Sequence, residues 1–168
     1  MKVTSSEAAK MLKKLENDLN DILNKESQSI SFVAAIEEDV EKIRPEYDYR
    51  DTQVKVDELE EKIRSIKHAI NVFNSTQRIE EFDMTIDQML IFLPQLTRRC
   101  QRLKSMKSTL PMTRELSYNR NSNFIEYRYA NYDIAETEKD YDKYSDLLAR
   151  AQLALDNVNN TVTFEVDI

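Results

Sequence analysis

The chain has 168 residues, of which 33% are charged and 40% apolar, a formal net charge of -7, and no glycine. An average soluble chain of this length carries roughly 12 glycines. Their absence excludes phosphate-cradling loops, dinucleotide fingerprints, EF-hand calcium loops and the G-x-S-x-G nucleophile elbow, and one Cys and one His leave little for zinc sites or nucleophilic triads.

One cysteine cannot close an intramolecular disulfide. The opening MKVTSSEAAK has no apolar core of a secretory leader. The longest apolar run, Met89 to Leu93, stops at Pro94 and is far too short to span a bilayer. These features predict a soluble cytoplasmic protein, a single helical domain over 1–168.

Apolar residues spaced alternately three and four apart predict four long helices. The first, near 5–26, carries Ala8, Leu12, Leu15, Leu19 and Ile22 on one face. Ser29 to Ala35 (SISFVAA) reads either as strand or as more helix, with the rhythm running on through Val33, Ile36, Val40 and Ile43. Glu26 and Ser29 would then fall on the apolar stripe, which favours a break near Glu26. The second helix, near 50–74, carries Val56, Leu59, Ile63, Ile66, Ile70 and Phe73. The third, near 84–109, carries Ile86, Met89, Leu93, Leu96, Cys100 and Leu103, with Thr85 and Gln88 as a capping box and Pro94 predicting a kink.

Ser117 to Tyr132 is aromatic-rich and alternating, with Ile125, Tyr127 and Tyr129 on one side and Phe124, Glu126 and Arg128 on the other. It predicts a β-hairpin near 115–132 with its turn near Asn119 to Asn123. The fourth helix, near 133–159, carries Ile134, Thr137, Tyr141, Tyr144, Leu148, Ala151, Leu155 and Val158, with Asp133 as its N-cap. A short strand follows near 161–167. Asn71, Asn74, Asn157, Asn159 and Asn160 sit where a glycine-free chain would use asparagine to close helices in the left-handed conformation. The expected fold is mainly α: an antiparallel, coiled-coil-like bundle of about four long helices, with a small hairpin and a C-terminal strand. Helices of this length predict an elongated shape.

Four stretches carry a family likeness: IKHAINVFNST (66–76), LPQLTRRCQRL (93–103), YRYANYD (127–133) and LDNVNNTVTFEVDI (155–168). With the order of elements, the chain from about Arg44 onward resembles the septicolysin-like family of small bacterial helical proteins. The resemblance implies a mostly helical fold, bacterial origin and self-association, and brings no activity and no catalytic residues. The cytolysin in the family label finds no echo in these residues, because the hairpin is too short and too charged for a transmembrane barrel.

Three groups of residues invite a chemical reading. Glu37, Glu38 and Glu41, with Glu58 and Glu61 further on, resemble the Mg²⁺-binding carboxylates of an all-α nucleotide pyrophosphohydrolase. No glycine or paired lysine marks a phosphate grip beside them, so an ordinary solvated acidic face is the preferred reading and no metal is expected. A di-iron bundle needs two Glu-x-x-His motifs, and the single His68 has Ser65 three residues before it. His68 therefore reads as a helix-flank residue, and Cys100 as a small apolar side chain on a helix seam.

The charge distribution is the most suggestive feature. From Arg98 to Arg128 there are eight Lys and Arg against two acids, whereas Glu37 to Glu61 holds eleven acids against four bases. Arg98, Arg99 and Arg102, followed by Tyr127 and Tyr129, offer the arginine-and-aromatic chemistry of a single-stranded nucleic-acid groove. Pairing of these cations with the acidic stretch of the same or a neighbouring subunit is the favoured alternative, since the overall charge is negative. The expected function is a non-catalytic structural or protein-interaction protein without cofactor, assembling as a homo-oligomer or with another protein through Arg98, Arg99, Arg102, Phe124, Tyr127, Tyr129 and Phe164. A nucleic-acid-associated module stands second and the hydrolase third, and no membrane partner is expected.

Overall fold

The computed structural model describes residues 1–115 and 125–168. The chain is mainly helical with small antiparallel strand pairs. It divides into two compact units, Met1–Gln77 with Asn157–Ile168, and Arg78–Asp156. No helix among the described residues is long and apolar enough to cross a membrane.

The first unit begins with strand β1 (Lys2–Thr4), which runs straight into helix α1 (Ser5–Ser29). Thr4 and Glu7 form a capping box: Glu7 N–H donates to Thr4 Oγ1 at 3.2 Å and Thr4 N–H donates to Glu7 Oε2 at 2.8 Å. Two of the helix's orphan amides are thereby satisfied. A short helix α2 (Val40–Ile43) lies in the connection, and helix α3 (Tyr49–Thr76) opens at Asp48, which accepts from Asp51 N–H at 3.0 Å.

Helices α1 and α3 pack together. Ala8 and Ile66 are completely buried at the contact, flanked by Leu12, Leu15, Ala69 and Ile70. Full burial of a side chain the size of Ile66 contributes roughly 2–3 kcal/mol. Strand β6 (Thr163–Glu165) pairs antiparallel with β1, placing Val3 opposite Phe164. Val3 and Val166 join the same core, so the two ends of the described chain close one end of the α1–α3 pair.

The second unit starts with strands β2 (Arg78–Ile79) and β3 (Met84–Thr85), paired around a 3-10 turn at Glu80–Phe82. Asp83 is the one non-glycine residue with positive φ (51°) among the described residues, and Arg78 Nη2 donates to its carbonyl at 2.8 Å. Helix α4 (Ile86–Lys107) opens with the Thr85–Gln88 capping box and runs on through Pro94. Strands β4 (Met112–Glu115) and β5 (Glu126–Tyr129) form a hairpin, and helix α5 (Ile134–Thr161) follows. Ile86, Met89, Leu96, Cys100 and Leu103 on α4, and Thr137, Ala151 and Leu155 on α5, are buried.

Every residue of the four apolar seams is buried or half-buried, as the three-four spacing demands. Other expectations are corrected. Helix α1 continues past Glu26 to Ser29, and the residues after it are neither strand nor helix: Val33 and Ile36 stand in solvent. The asparagines do not close helices in the left-handed conformation. Asn71 and Asn74 lie inside α3, and Asn157, Asn159 and Asn160 inside α5. Thr76 Oγ1 donates to Val72 O at 2.8 Å and Thr161 Oγ1 to Asn157 O at 2.7 Å, so threonine hydroxyls serve the last carbonyls instead. The first hairpin strand lies earlier than expected, at Met112–Glu115, while the turn expected at Asn119 to Asn123 lies outside the described residues. The C-terminal strand is shorter than expected, because α5 extends to Thr161.

Candidate interaction surface

The hairpin is built from two strands of opposite character on their two faces. Met112 pairs with Tyr129, Thr113 with Arg128, Arg114 with Tyr127 and Glu115 with Glu126. Side chains directly opposite share a face and alternate along the strand. Met112, Arg114, Tyr127 and Tyr129 therefore form one face, and Thr113, Glu115, Glu126 and Arg128 the other.

On the polar face, Arg128 holds Glu115 with both arms of its guanidinium, Nε to Oε2 and Nη2 to Oε1, each at 2.8 Å. This hydrogen-bonded pair lowers the Glu115 carboxyl below its ordinary range and raises the Arg128 guanidinium. The pair also relieves the like-charge contact of Glu115 with Glu126. On the other face Tyr127 and Tyr129 lie with ring centres 6.5 Å apart. Tyr127, Tyr129 and Met112 are 46%, 65% and 51% exposed. Among the described residues no third strand joins this sheet, so both strands present free edges.

The root of the hairpin is tied to the end of α4. Ala130 N–H donates to Pro111 O at 3.1 Å, and Tyr132 Oη donates to Met106 O at 2.8 Å. Lys104 and Lys107 lie in that last helical turn. Lys107 Nζ sits 4.0 Å from the centre of the Tyr141 ring, and the Arg99 guanidinium 3.7 Å from that of Tyr144. These aromatic partners are two of the seam positions on α5, whose rings are half-buried with their faces open to cations. Sequence reading assigned them to the core and missed this second role. Arg98, Arg102, Lys104 and Arg114 are exposed and form no ion pair with the described residues.

The basic segment is thus partly engaged within its own unit, by tyrosine faces and by Glu115. The acidic stretch is likewise engaged locally, through Asp39 with Lys42, Glu41 with Arg44 and Asp51 with Lys55. Phe164, expected at an interface, is half-buried and stacks on Phe73. Phe124 lies outside the described residues.

The carboxylates considered for Mg²⁺ do not form one helical face. Glu37 and Glu38 precede α2 in a turn, where Glu38 Oε2 accepts from Ala35 N–H at 2.8 Å. Glu41, inside α2, accepts from Arg44 Nη2 at 2.8 Å. Glu58 and Glu61 stand on α3 along a shallow open groove with Lys62, Ser65 and Asp167. Among the described residues no group of three or more His, Cys, Asp or Glu is placed to hold a metal ion. His68 is exposed on α3, and Cys100 is buried as a free thiol.

The sequence matches no family model and no curated protein. The fold resembles the crystal structure of a functionally unknown conserved protein from Corynebacterium diphtheriae, with a TM-score of 0.60. The two chains are 16% identical over 98% of this chain and 100% of that one. At that identity the likeness concerns the fold alone.

Proposed function

We propose that this chain is a non-catalytic structural or interaction protein that associates with itself, and that the tyrosine face of the β4–β5 hairpin is its contact surface. The observation that carries this reading is the exposure of Met112, Tyr127 and Tyr129 on one face of a two-stranded sheet. An isolated hairpin is marginal in water, and free edges with aromatic side chains gain by pairing with another chain. The long helices are read as coiled-coil-like, a reading supported by the packing of α1 on α3 and by the burial along all four seams. Membership of the septicolysin-like family, bacterial origin and a cytoplasmic location belong to the same proposal. Light scattering across a dilution series tests it: the mass should exceed that of one chain at high concentration and fall on dilution, with no nucleotide turnover. A single-chain mass throughout overturns the reading.

A second reading is favoured by the exposed Arg98 and Arg102 on α4 and by Arg114, which lies opposite Tyr127 on the hairpin: these cations and rings suit an anionic single-stranded nucleic acid. Binding of a fluorescent oligonucleotide should then weaken steeply with salt and fail in Arg98→Glu/Arg102→Glu. Salt-independent or absent binding rejects it.

A further inference from the structure

The connection between α1 and α3 exposes several large apolar side chains. Val33 and Ile36 are 95% and 104% exposed, and Phe32, Val40 and Ile43 are exposed too. Large exposed apolar patches on soluble proteins mark interaction sites. Ile36, Val40 and Ile43 follow helical spacing, but only Val40–Ile43 is helical, and Ile36 is left uncovered by the described residues of its own unit.

We propose that this connection is the docking surface for the tyrosine face of the hairpin, and the basic end of α4, of a second copy of this chain. The inference rests on the self-association proposed above and names the two surfaces that meet. Charge selects the occupant. From residue 30 to 48 the connection carries Glu37, Glu38, Asp39, Glu41, Glu46 and Asp48 against Lys42 and Arg44. The hairpin face carries Arg114, and the helix end at its root carries Arg102, Lys104 and Lys107. Two acidic connections repel each other, and so do two basic helix ends, whereas connection against helix end brings opposite signs together around apolar cores. Two such contacts related by a two-fold axis close a dimer.

The test uses the full chain in sedimentation equilibrium. Val33→Asp/Ile36→Asp alters side chains that touch almost nothing, so its circular dichroism and thermal midpoint should match wild type. Its self-association should weaken at least about tenfold. Glu37→Lys/Glu46→Lys and Arg102→Glu/Arg114→Glu should each associate weakly alone, and an equimolar mixture should recover a mixed complex because the swapped charges attract. If wild type associates but the connection variants associate as well as it does, the docking surface is wrong while self-association stands. If wild type is a single chain at every concentration, both fall.

Discussion

The rings of Phe73 and Phe164 stack with centres 4.5 Å apart and planes 21° from parallel. Phe73 stands near the end of α3 and Phe164 in the middle of β6, opposite Val3 of β1. This contact fastens the terminal sheet onto the α1–α3 pair, and it follows from alternation in a three-residue strand: Thr163 and Glu165 face outward when Phe164 faces in.

Phe164→Ala should therefore destabilise the first unit by about 2–3 kcal/mol, less than a fully buried phenylalanine because the ring is half-exposed. Urea unfolding followed by circular dichroism reads the loss. An effect on association with no change in stability would place Phe164 at an interface instead.

Arg99 over Tyr144 joins α4 to α5 through a cation and a ring face. A double-mutant cycle with Arg99→Ala and Tyr144→Leu should give a coupling of about 0.5–1 kcal/mol, the range for a solvent-exposed pair. Additive effects of the two substitutions would mean the contact contributes nothing.

Tyr47 Oη donates to Glu26 Oε1 at 2.6 Å, and Gln53 Nε2 donates to the same oxygen at 2.8 Å. Chiefly through that hydrogen bond to a carboxylate, the Tyr47 phenol is pushed up to about 12. Because its folded value lies above the unfolded value of about 10, its contribution to stability is complete below pH 10 and lost as pH rises toward 12. An absorbance titration of phenolate formation should show one late-ionising tyrosine that disappears in Tyr47→Phe. A titration unchanged by that substitution would show that Tyr47 ionises with the others.

Glu7 moves the other way: the Thr4 backbone N–H, then the Thr4 hydroxyl, lower its carboxyl. The capping box at Thr4 is thus intact above the unfolded carboxylate value and lost as acid protonates Glu7. The Thr85 box has no carboxylate, its side chains being Thr85 and Gln88. Thr85→Ala should cost about 1 kcal/mol at every pH, whereas the penalty of Glu7→Gln should fade in acid. Equal pH dependence of the two variants would contradict this division.

The parts of the fold that sequence made legible are those set by local geometry. Ile66 and Met89 are buried because helical spacing leaves them no other side to face, and Thr85 with Gln88 caps because the two lie within one turn. The misreadings came from effects that spacing does not carry. Val40 and Ile43 keep the rhythm of a helix and form α2 under the Asp39 cap, a helix that an expected break near Glu26 did not anticipate. Strand β1 has a single apolar side chain facing the core, Val3, and exists because β6 arrives beside it from the far end of the sequence, with Phe164 opposite Val3. Strand β4 reads MTRE, with no alternation strong enough to flag it. The candidate surface was legible in Tyr127, Tyr129 and the arginines, whereas the partners that orient them, Glu115, Tyr141 and Tyr144, are matters of register and helix pairing.

The claim on which the functional account rests is that the exposed tyrosine face seeks another chain. Sedimentation equilibrium of wild type beside Tyr127→Asp/Tyr129→Asp tests it most directly. The account predicts a wild-type mass rising with concentration above 19.8 kDa and a variant that stays at the mass of one folded chain. A wild type that never exceeds one chain, or a variant that assembles as well as wild type, would contradict it.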